Sequence, residues 1–268
     1  MDDELEYYAT PSPTTDLGTY EKLVIDLPDD AVRLGEIVRG LLVHNSVVAM
    51  RGMKLPPQRM GDMKRTGAIS ILDGVLDLDL GALDTRRTTE RRMVGFCYHF
   101  ALLHCAFLRA KHIPSRTRCG FASYFHRGRW IDHWVVEYWD EEGWRLHDSQ
   151  LGRDALTGND FQDGLVAWDR CRSGAADALH YGNEVFWGWD ELRGSLINDL
   201  GALNKVEIGG WKWCDLIAVD PIDQPHADAD ARLDAFTTHA SNPNSFTELR
   251  RAFENDPAVQ PPAGVTND

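Results

Sequence analysis

The fold is decided by the stretch VGFCYHFALLHCAFL, residues 94–108. Its positions 97, 100, 101, 104, 105 and 108 recur at the spacing of one helix face, and the other face is apolar as well. A helix that is apolar nearly all round lies in the centre of a domain. Pro114 follows soon afterwards and favours the end of the helix. The stretch therefore predicts a buried helix that begins at Cys97.

Three strands are predicted after this helix from runs rich in β-branched and aromatic residues. They cover residues 117–125, 130–139 and 144–149. Two polar turns separate them, His126–Arg129 and Asp140–Gly143. A β-meander laid against a buried helix is an α+β arrangement, which is the fold class that the sequence predicts.

The remaining chain is predicted to surround this core. Residues 1–19 are acidic and then rich in Pro and Thr, which is typical of a flexible arm, and residues 257–268 are expected to be a disordered tail. Between them, residues 20–256 are predicted to form a single domain. Its core is expected at 85–155, with a mainly helical extension at 156–256.

Smaller patterns predict individual elements in these flanking regions. The run Lys22–Leu27 is typical of a short strand, and Asp29 or Asp30 is placed to cap a helix that follows. Further helices are predicted at residues 190–204, 230–239 and 244–255.

Composition argues against several classes of function. The chain has 268 residues, of which 28 are basic and 42 acidic, so its formal net charge is −14. Nucleic acids and anionic membranes are bound through basic surfaces, so neither is expected as a partner. No apolar run approaches the roughly 18–20 residues that span a bilayer, and the first residues are acidic, unlike a secretory leader. We therefore expect a cytoplasmic protein.

The sequence predicts neither a metal nor a cofactor. The five cysteines are odd in number and lack CxxC spacing, which favours a reducing compartment and gives no zinc signature. His99 and His104 are five residues apart, so they lie on different faces of the predicted helix and are not expected to share a metal.

Three residues stand out by their positions in the predicted elements. Cys97 opens the buried helix, where the positive end of the helix dipole favours a thiolate. His133 lies in the second strand and can act as general base and acid, and Asp148 can orient its imidazole. If the turn before the third strand has an even number of loop residues, positions that sum to 283 face each other. Asp148 then opposes Val135, on the same face as His133.

The sequence around these residues resembles the transglutaminase-like superfamily of cysteine enzymes. The resemblance is carried by a Cys block, a His block and an Asp block, in that order. They read GFCYHFA at 95–101 with LRAKHIPSR at 108–116, DHWVVEY at 132–138, and GWRLHD at 143–148. His112 stands where the family often has Gly, and Ser115 where it often has Ala. The region after residue 155 resembles a bacterial subgroup of transglutaminase-domain proteins.

The resemblance implies a papain-like fold with Cys97 as nucleophile, His133 as base and acid, and Asp148 as orienting group. It implies acyl transfer from an amide or thioester carbonyl, with water or an amine as acceptor. The expected substrate is a small metabolite or a peptide, free or carrier-bound. The backbone N–H of Cys97 is a natural oxyanion donor, and no side-chain donor is singled out. A non-catalytic transglutaminase-like interaction module is the main alternative, and a redox-sensing thiol protein is a weaker one.

Other features have two interpretations each. The segment Arg86–Arg92 can be a solvated charged stretch or a contact for an anionic substrate. The tryptophans in residues 187–213 can line a cleft or fill a second small core. The acidic run from Asp220 to Asp230 departs from a calcium loop and is interpreted as a solvated linker. The sequence does not specify an oligomeric state.

Overall fold

A computed structural model describes residues 3–183, 185–209, 227–240 and 245–261. The described chain divides into two compact units. The first unit holds the residues up to Thr117 together with Trp134–Leu156. The second holds Arg118–His133 and the described residues from Thr157 onward.

The elements mix helices and strands along the chain. The helices are α1 (Asp3–Tyr8), α2 (Glu21–Val24), α3 (Ala31–Leu41), α4 (Asn45–Met50), α5 (Ala68–Leu78), α6 (Cys97–Ala110), α7 (Gly164–Arg172), α8 (Trp189–Leu203), α9 (Ala227–Ala240) and α10 (Ser245–Asn255). The strands are β1 (Leu42–His44), β2 (Met93–Gly95), β3 (Ser115–Ala122), β4 (Trp130–Asp140), β5 (Gly143–Asp148), β6 (Arg153–Leu156), β7 (Phe161–Asp163) and β8 (Tyr181–Gly182). The predicted α+β class is confirmed, and β3 and β4 each contribute residues to both units.

The predicted central helix is α6. Every residue from Tyr98 to Arg109 is buried, and the helix packs against α2, α3 and α5 of the first unit. At its end the N–H of Ile113 donates to the carbonyl of Leu108 and the N–H of His112 to that of Arg109, both at 2.9 Å. This Schellman turn requires a left-handed residue, and His112 has φ +56°. Glycine would adopt this conformation without strain.

The meander in the first unit has the predicted register. Strands β4 and β5 are antiparallel, with Val136 opposite His147 and Asp140 opposite Gly143, so paired positions sum to 283. Glu141 and Glu142 form a two-residue loop between the strands, and the even loop length is confirmed. Strand β6 then pairs with β5, also antiparallel.

The second unit has its own apolar core. Helix α7 packs against α8 and α9 around Trp168, Leu196 and Phe236. Trp189 packs edge-on to Trp168 with 5.6 Å between ring centroids, which favours the second-core interpretation for this tryptophan. The unit also contains the pairings of β3 with β7 and of β4 with β8. The sequence did not predict β7 and β8, because strands of two or three residues show no periodicity.

The amino-terminal segment differs from the predicted flexible arm over residues 1–19. From Asp3 onward it contains α1, and Tyr8 and Thr15 are buried. The hydroxyl of Thr15 accepts a hydrogen bond from buried Arg109 at 2.9 Å, and Glu4 pairs with Arg116 at 2.9 Å. The acidic and polar residues suggested solvation, but they are the partners that these arginines need.

Three further expectations are corrected. The predicted strand Lys22–Leu27 contains the helical turn α2, because the N–H of Ile25 bonds locally to the carbonyl of Glu21 at 3.1 Å. The described part of the predicted tail contains a 3₁₀ turn at Pro257–Val259, with Val259 buried because it joins the apolar core of the second unit. Residues 262–268 of that tail lie outside the described residues.

The third concerns the acidic run. Asp230 is fully buried and pairs with buried Arg193 at 3.1 Å, so at this position the run is not a solvated linker. Composition could not reveal this, because the partner lies 37 residues away in α8. Asp220, Asp223, Trp211, Trp213 and Cys214 lie outside the described residues. In the described part of the chain, no helix is both long and apolar enough to cross a membrane.

Candidate functional site

Cys97 is the first residue of α6 and is partly exposed. The other cysteines within the described ranges, Cys105, Cys119 and Cys171, are buried, as packing residues are. The thiol of Cys97 therefore combines solvent access with the positive end of a long helix dipole.

His99 determines where α6 begins. Its Nδ1 atom accepts the backbone N–H of Phe96 at 3.0 Å, which is the task of the Glu in a capping box. Burial lowers the pKa of His99 to about 4, so the imidazole stays neutral and available as an acceptor. The sequence gave no metal role to His99, and its structural role as a cap was missed because capping by His is uncommon.

Strand β4 passes close to the start of α6. The ring of Trp134 packs edge-on against that of Tyr98, with 5.3 Å between centroids. The hydroxyl of Tyr98 donates to the carbonyl of Thr66 at 2.8 Å and so fixes the ring. The residue after His133 and the residue after Cys97 are therefore in contact within the first unit.

His133 lies in β4 and is 2% exposed. In the second unit its imidazole packs against two aromatic rings, with centroid distances of 4.9 Å to Phe125 and 6.1 Å to Tyr124. Phe125 itself is partly exposed. The sequence did not identify this aromatic pair, since the segment between β3 and β4 looked only like a turn.

Two interacting carboxyl groups of the second unit have raised pKa values, Asp132 beside His133 in β4 and buried Glu191. Burial raises the pKa of Asp132 to about 6, and the neighbouring His133 opposes this rise. Burial, followed by the charges of Asp132 and Asp190, raises the pKa of Glu191 to about 9. Neither carboxyl oxygen of Glu191 has a hydrogen-bond partner among the described residues. Glu191 is therefore a neutral buried acid at neutral pH.

Asp148 ends β5 and is completely buried. Its Oδ1 atom accepts the backbone N–H groups of Gln150 at 2.8 Å and Leu151 at 3.0 Å, and its carbonyl accepts that of Gly152 at 2.7 Å. Gly152 has φ +71°, a conformation that favours glycine. The turn therefore holds the Asp148 carboxylate in one orientation.

His104 supports the same turn from α6. Its Nε2 atom lies 2.8 Å from the carbonyl of Ala31, which can only accept, so Nε2 carries the proton. Its Nδ1 atom then accepts the hydroxyl of Ser149 at 2.7 Å. Burial, followed by the adjacent His147, lowers the pKa of His104 to about 3. This neutral imidazole thus links α3 and α6 to the residue after Asp148.

The three predicted site residues occupy the predicted elements. Cys97 and Asp148 belong to the first unit, and His133 is the last β4 residue of the second. Within the described ranges no three His, Cys, Asp or Glu side chains are grouped to hold a metal ion. The Nδ1 atoms of both His99 and His104 take part in structural hydrogen bonds, with the N–H of Phe96 and the hydroxyl of Ser149 respectively.

Comparison with known proteins identifies a core segment. Residues 79–149 match the model of the transglutaminase-like superfamily. The chain therefore contains a transglutaminase-like region, and this match supports a thiol-dependent enzyme. No curated protein matches the sequence.

One similar solved structure is described as "a Putative Cysteine Protease from Cytophaga hutchinsonii". It is 18% identical, with a TM-score of 0.39, and the match covers 60% of this chain and 48% of that one. The matched region thus spans about half the length of that protein.

Proposed function

We propose that this protein is a cysteine-dependent acyl-transfer enzyme with Cys97 as nucleophile, His133 as general base and acid, and Asp148 as orienting carboxylate. The observation that carries the proposal is Cys97 itself, a partly exposed thiol at the first position of a buried helix. This residue lies inside the segment that matches the transglutaminase-like family.

The strand register supports the roles of the other two residues. The observed pairing of β4 with β5 ends with Val136 opposite His147, and its continuation by one residue predicts Val135 opposite Asp148. His133 lies two residues before Val135 along β4, and side chains two apart share a strand face. The contact of Trp134 with Tyr98 supports a position of this strand beside the nucleophile.

The proposed reaction begins with attack of the Cys97 thiolate on an amide or thioester carbonyl. His133 has taken the thiol proton and is an imidazolium. A C–S bond forms to Cys97, and the Cys97 backbone N–H stabilises the tetrahedral oxyanion. The oxyanion then collapses, the C–N bond of the amide or the C–S bond of the thioester donor breaks, and the leaving group takes the proton from His133. Water or an amine then attacks the thioester carbonyl and gives its proton to His133. The C–S bond breaks and the thiolate is restored. A small metabolite or a peptide is the proposed acyl donor, and the proposed location is cytoplasmic.

Selective alkylation tests the proposal. Iodoacetamide at pH 6 should label Cys97 at least 10-fold faster than any other cysteine, and His133→Ala should abolish that preference. His126→Ala is the matched control, because His126 is an exposed histidine of the same unit, and it should label like wild type. Slow and equal labelling of all cysteines would contradict the proposal and favour a non-catalytic interaction module.

Trapping by intact mass then identifies the acyl donor. The unmodified protein is incubated with panels of amides, thioesters and peptides, and an acyl adduct on Cys97 is expected with one class. Asp148→Asn should lower the rate of adduct formation by about 10²- to 10⁴-fold, because the imidazole loses its orienting carboxylate. If Asp148→Asn formed the adduct at the wild-type rate, the proposed orienting role of Asp148 would be contradicted.

A further inference from the structure

Four arginines of the first unit come together without a carboxylate partner. They are Arg39 near the end of α3, Arg51 after α4, Arg86 in the loop after α5, and Arg92 before β2. None of the four forms an ion pair with a carboxylate of the described residues, although the chain as a whole carries a net charge of −14. Other arginines, such as Arg59 and Arg116, do form such pairs.

Backbone and side-chain contacts hold these arginines in one place. The N–H of Arg87 donates to the carbonyl of Gly40 at 3.2 Å, and a Cβ at Gly40 would lie 3.5 Å from the Cα of Arg86. The segment that carries Arg86 therefore lies on the end of α3, beside Arg39. Arg51 donates to the hydroxyl of Thr89 at 3.0 Å, which brings the end of α4 to the same segment.

Arg92 lies within electrostatic reach of the other three arginines. Burial first, and then the charges of Arg86, Arg51 and Arg39, lower the pKa of Arg92, and only Glu90 opposes them. Glu90 in turn interacts with Arg51 and Arg92, and Asp79 forms an ion pair with Arg91 at 3.1 Å. The four arginines therefore outnumber the carboxylate that acts on Arg92.

Much of the hydrogen-bonding capacity of the cluster is unused. Arg92 donates through Nε to the carbonyl of Arg87 at 2.9 Å, and Arg39 through Nη1 to the carbonyl of Leu151 at 2.9 Å. The Nε of Arg39 is buried without a partner among the described residues, and the exposed guanidinium of Arg86 makes no hydrogen bond within them. A surface pocket adjoins the cluster, and its lining includes Arg86, Thr85 and Thr88 together with the ion pair of Asp79 and Arg91.

We propose that Arg39, Arg51, Arg86 and Arg92 form a binding site for a small molecule that bears a multiply charged phosphate group. Guanidinium forks match the oxygens of phosphates and carboxylates. A phosphate is favoured over a carboxylate because it carries about two negative charges at pH 7 against one. The site stands independently of the proposed catalytic role of Cys97, since none of its residues belongs to the triad.

Calorimetric titration with inorganic pyrophosphate tests the site. The intact protein should bind pyrophosphate with a 1:1 stoichiometry in 20 mM salt, and Arg86→Gln should weaken binding about 10-fold or more. Arg86 is exposed and makes no hydrogen bond to described residues, so its replacement should leave the fold intact. Arg127→Gln, which removes an exposed arginine from the second unit, is the charge-matched control and should bind like wild type.

Two outcomes would overturn the proposal. One is no binding at 10 mM pyrophosphate. The other is equal affinity in wild type, Arg86→Gln and Arg92→Gln. A parallel titration with citrate distinguishes phosphate from carboxylate ligands. Citrate should bind at least 10-fold more weakly than pyrophosphate. If citrate bound as tightly as pyrophosphate, the proposed phosphate ligand would be contradicted and the site would be assigned to a polycarboxylate.

Discussion

The two compact units bury opposite kinds of neutral ionisable side chain. In the first unit the imidazoles of His99 and His104 are buried, with pKa values lowered to about 4 and about 3. In the second unit the carboxyl of Glu191 is buried, with a pKa raised to about 9. The stability of the first unit should therefore fall as the pH drops below 6.5, because its histidines take up protons on unfolding. The stability of the second unit should fall as the pH rises from 4.5 towards 9, because Glu191 releases a proton on unfolding.

The two units also differ in how their arginines are paired. Buried arginines of the second unit have carboxylate partners, since Arg118 forms a fork with Asp199 at 2.8 and 2.9 Å and Arg193 meets Asp230. The arginines proposed as a phosphate site in the first unit have none in the described part of the chain. An unpaired cation is tolerable there because Arg51 and Arg86 are exposed and Arg39 and Arg92 are only partly buried, whereas a fully buried one is costly.

The largest effect is expected from His104→Phe. The variant leaves the Ser149 hydroxyl and the Ala31 carbonyl without their buried partner, which should lower the free energy of unfolding by about 2–4 kcal/mol at pH 7.5. The wild type itself loses the contribution of His104 as the pH falls from 6.5 towards 3, because only the unfolded chain is protonated. The gap between the two proteins should therefore narrow at pH 5.

Urea unfolding at pH 7.5 and pH 5 measures this gap. His126→Gln is the matched control, since His126 is exposed and its loss should change stability by less than about 0.5 kcal/mol at either pH. A gap that stays constant with pH would show that His104 is not a neutral buried group in the native protein.

A smaller effect is expected from Glu191→Gln. The native state keeps Glu191 protonated up to about pH 9, whereas the unfolded chain releases the proton near 4.5. The wild type should therefore lose stability as the pH rises between these values, and a neutral amide should avoid the loss. We expect the variant to be more stable than wild type by about 2 kcal/mol or more at pH 8 and nearly equal at pH 4.5.

Unfolding midpoints across this pH range test the expectation. Asp169→Asn provides a control, because Asp169 is an exposed acid of the same unit. Equal pH dependence in Glu191→Gln and wild type would contradict the description of the second unit as one that buries a neutral acid.

The smallest effect is expected from His112→Gly. Residue 112 has φ +56° at the end of α6, a conformation that glycine adopts without strain. The variant should gain about 0.5–1 kcal/mol of stability. The gain should be the same at pH 5 and pH 8, since no buried ionisable group is touched. Destabilisation in urea unfolding would show that the His112 side chain contributes contacts that outweigh the strain.

Patterns with a clear period were predicted well. The apolar stretch that begins at Cys97 forms α6, and the even turn before β5 produces the expected pairing of Val136 with His147. The roles of Cys97, His133 and Asp148 came from the sequence motif and stay a proposal. Segments without a period were predicted poorly. Strands β7 and β8 were missed, and Lys22–Leu27 forms a helical turn where a strand was expected.

The sequence by itself determined which helix is central and singled out the residues that we propose as catalytic, because periodicity and motif spacing are local properties of the chain. Only the tertiary structure decided which polar residues are buried and which side chains or backbone groups they pair with. Asp230 pairs with Arg193, His104 supports the turn at Asp148, and Glu191 is neutral. The same structure leaves the arginine cluster without carboxylate partners among the described residues. Burial and partnership depend on distant segments, so local sequence does not encode them in a readable form.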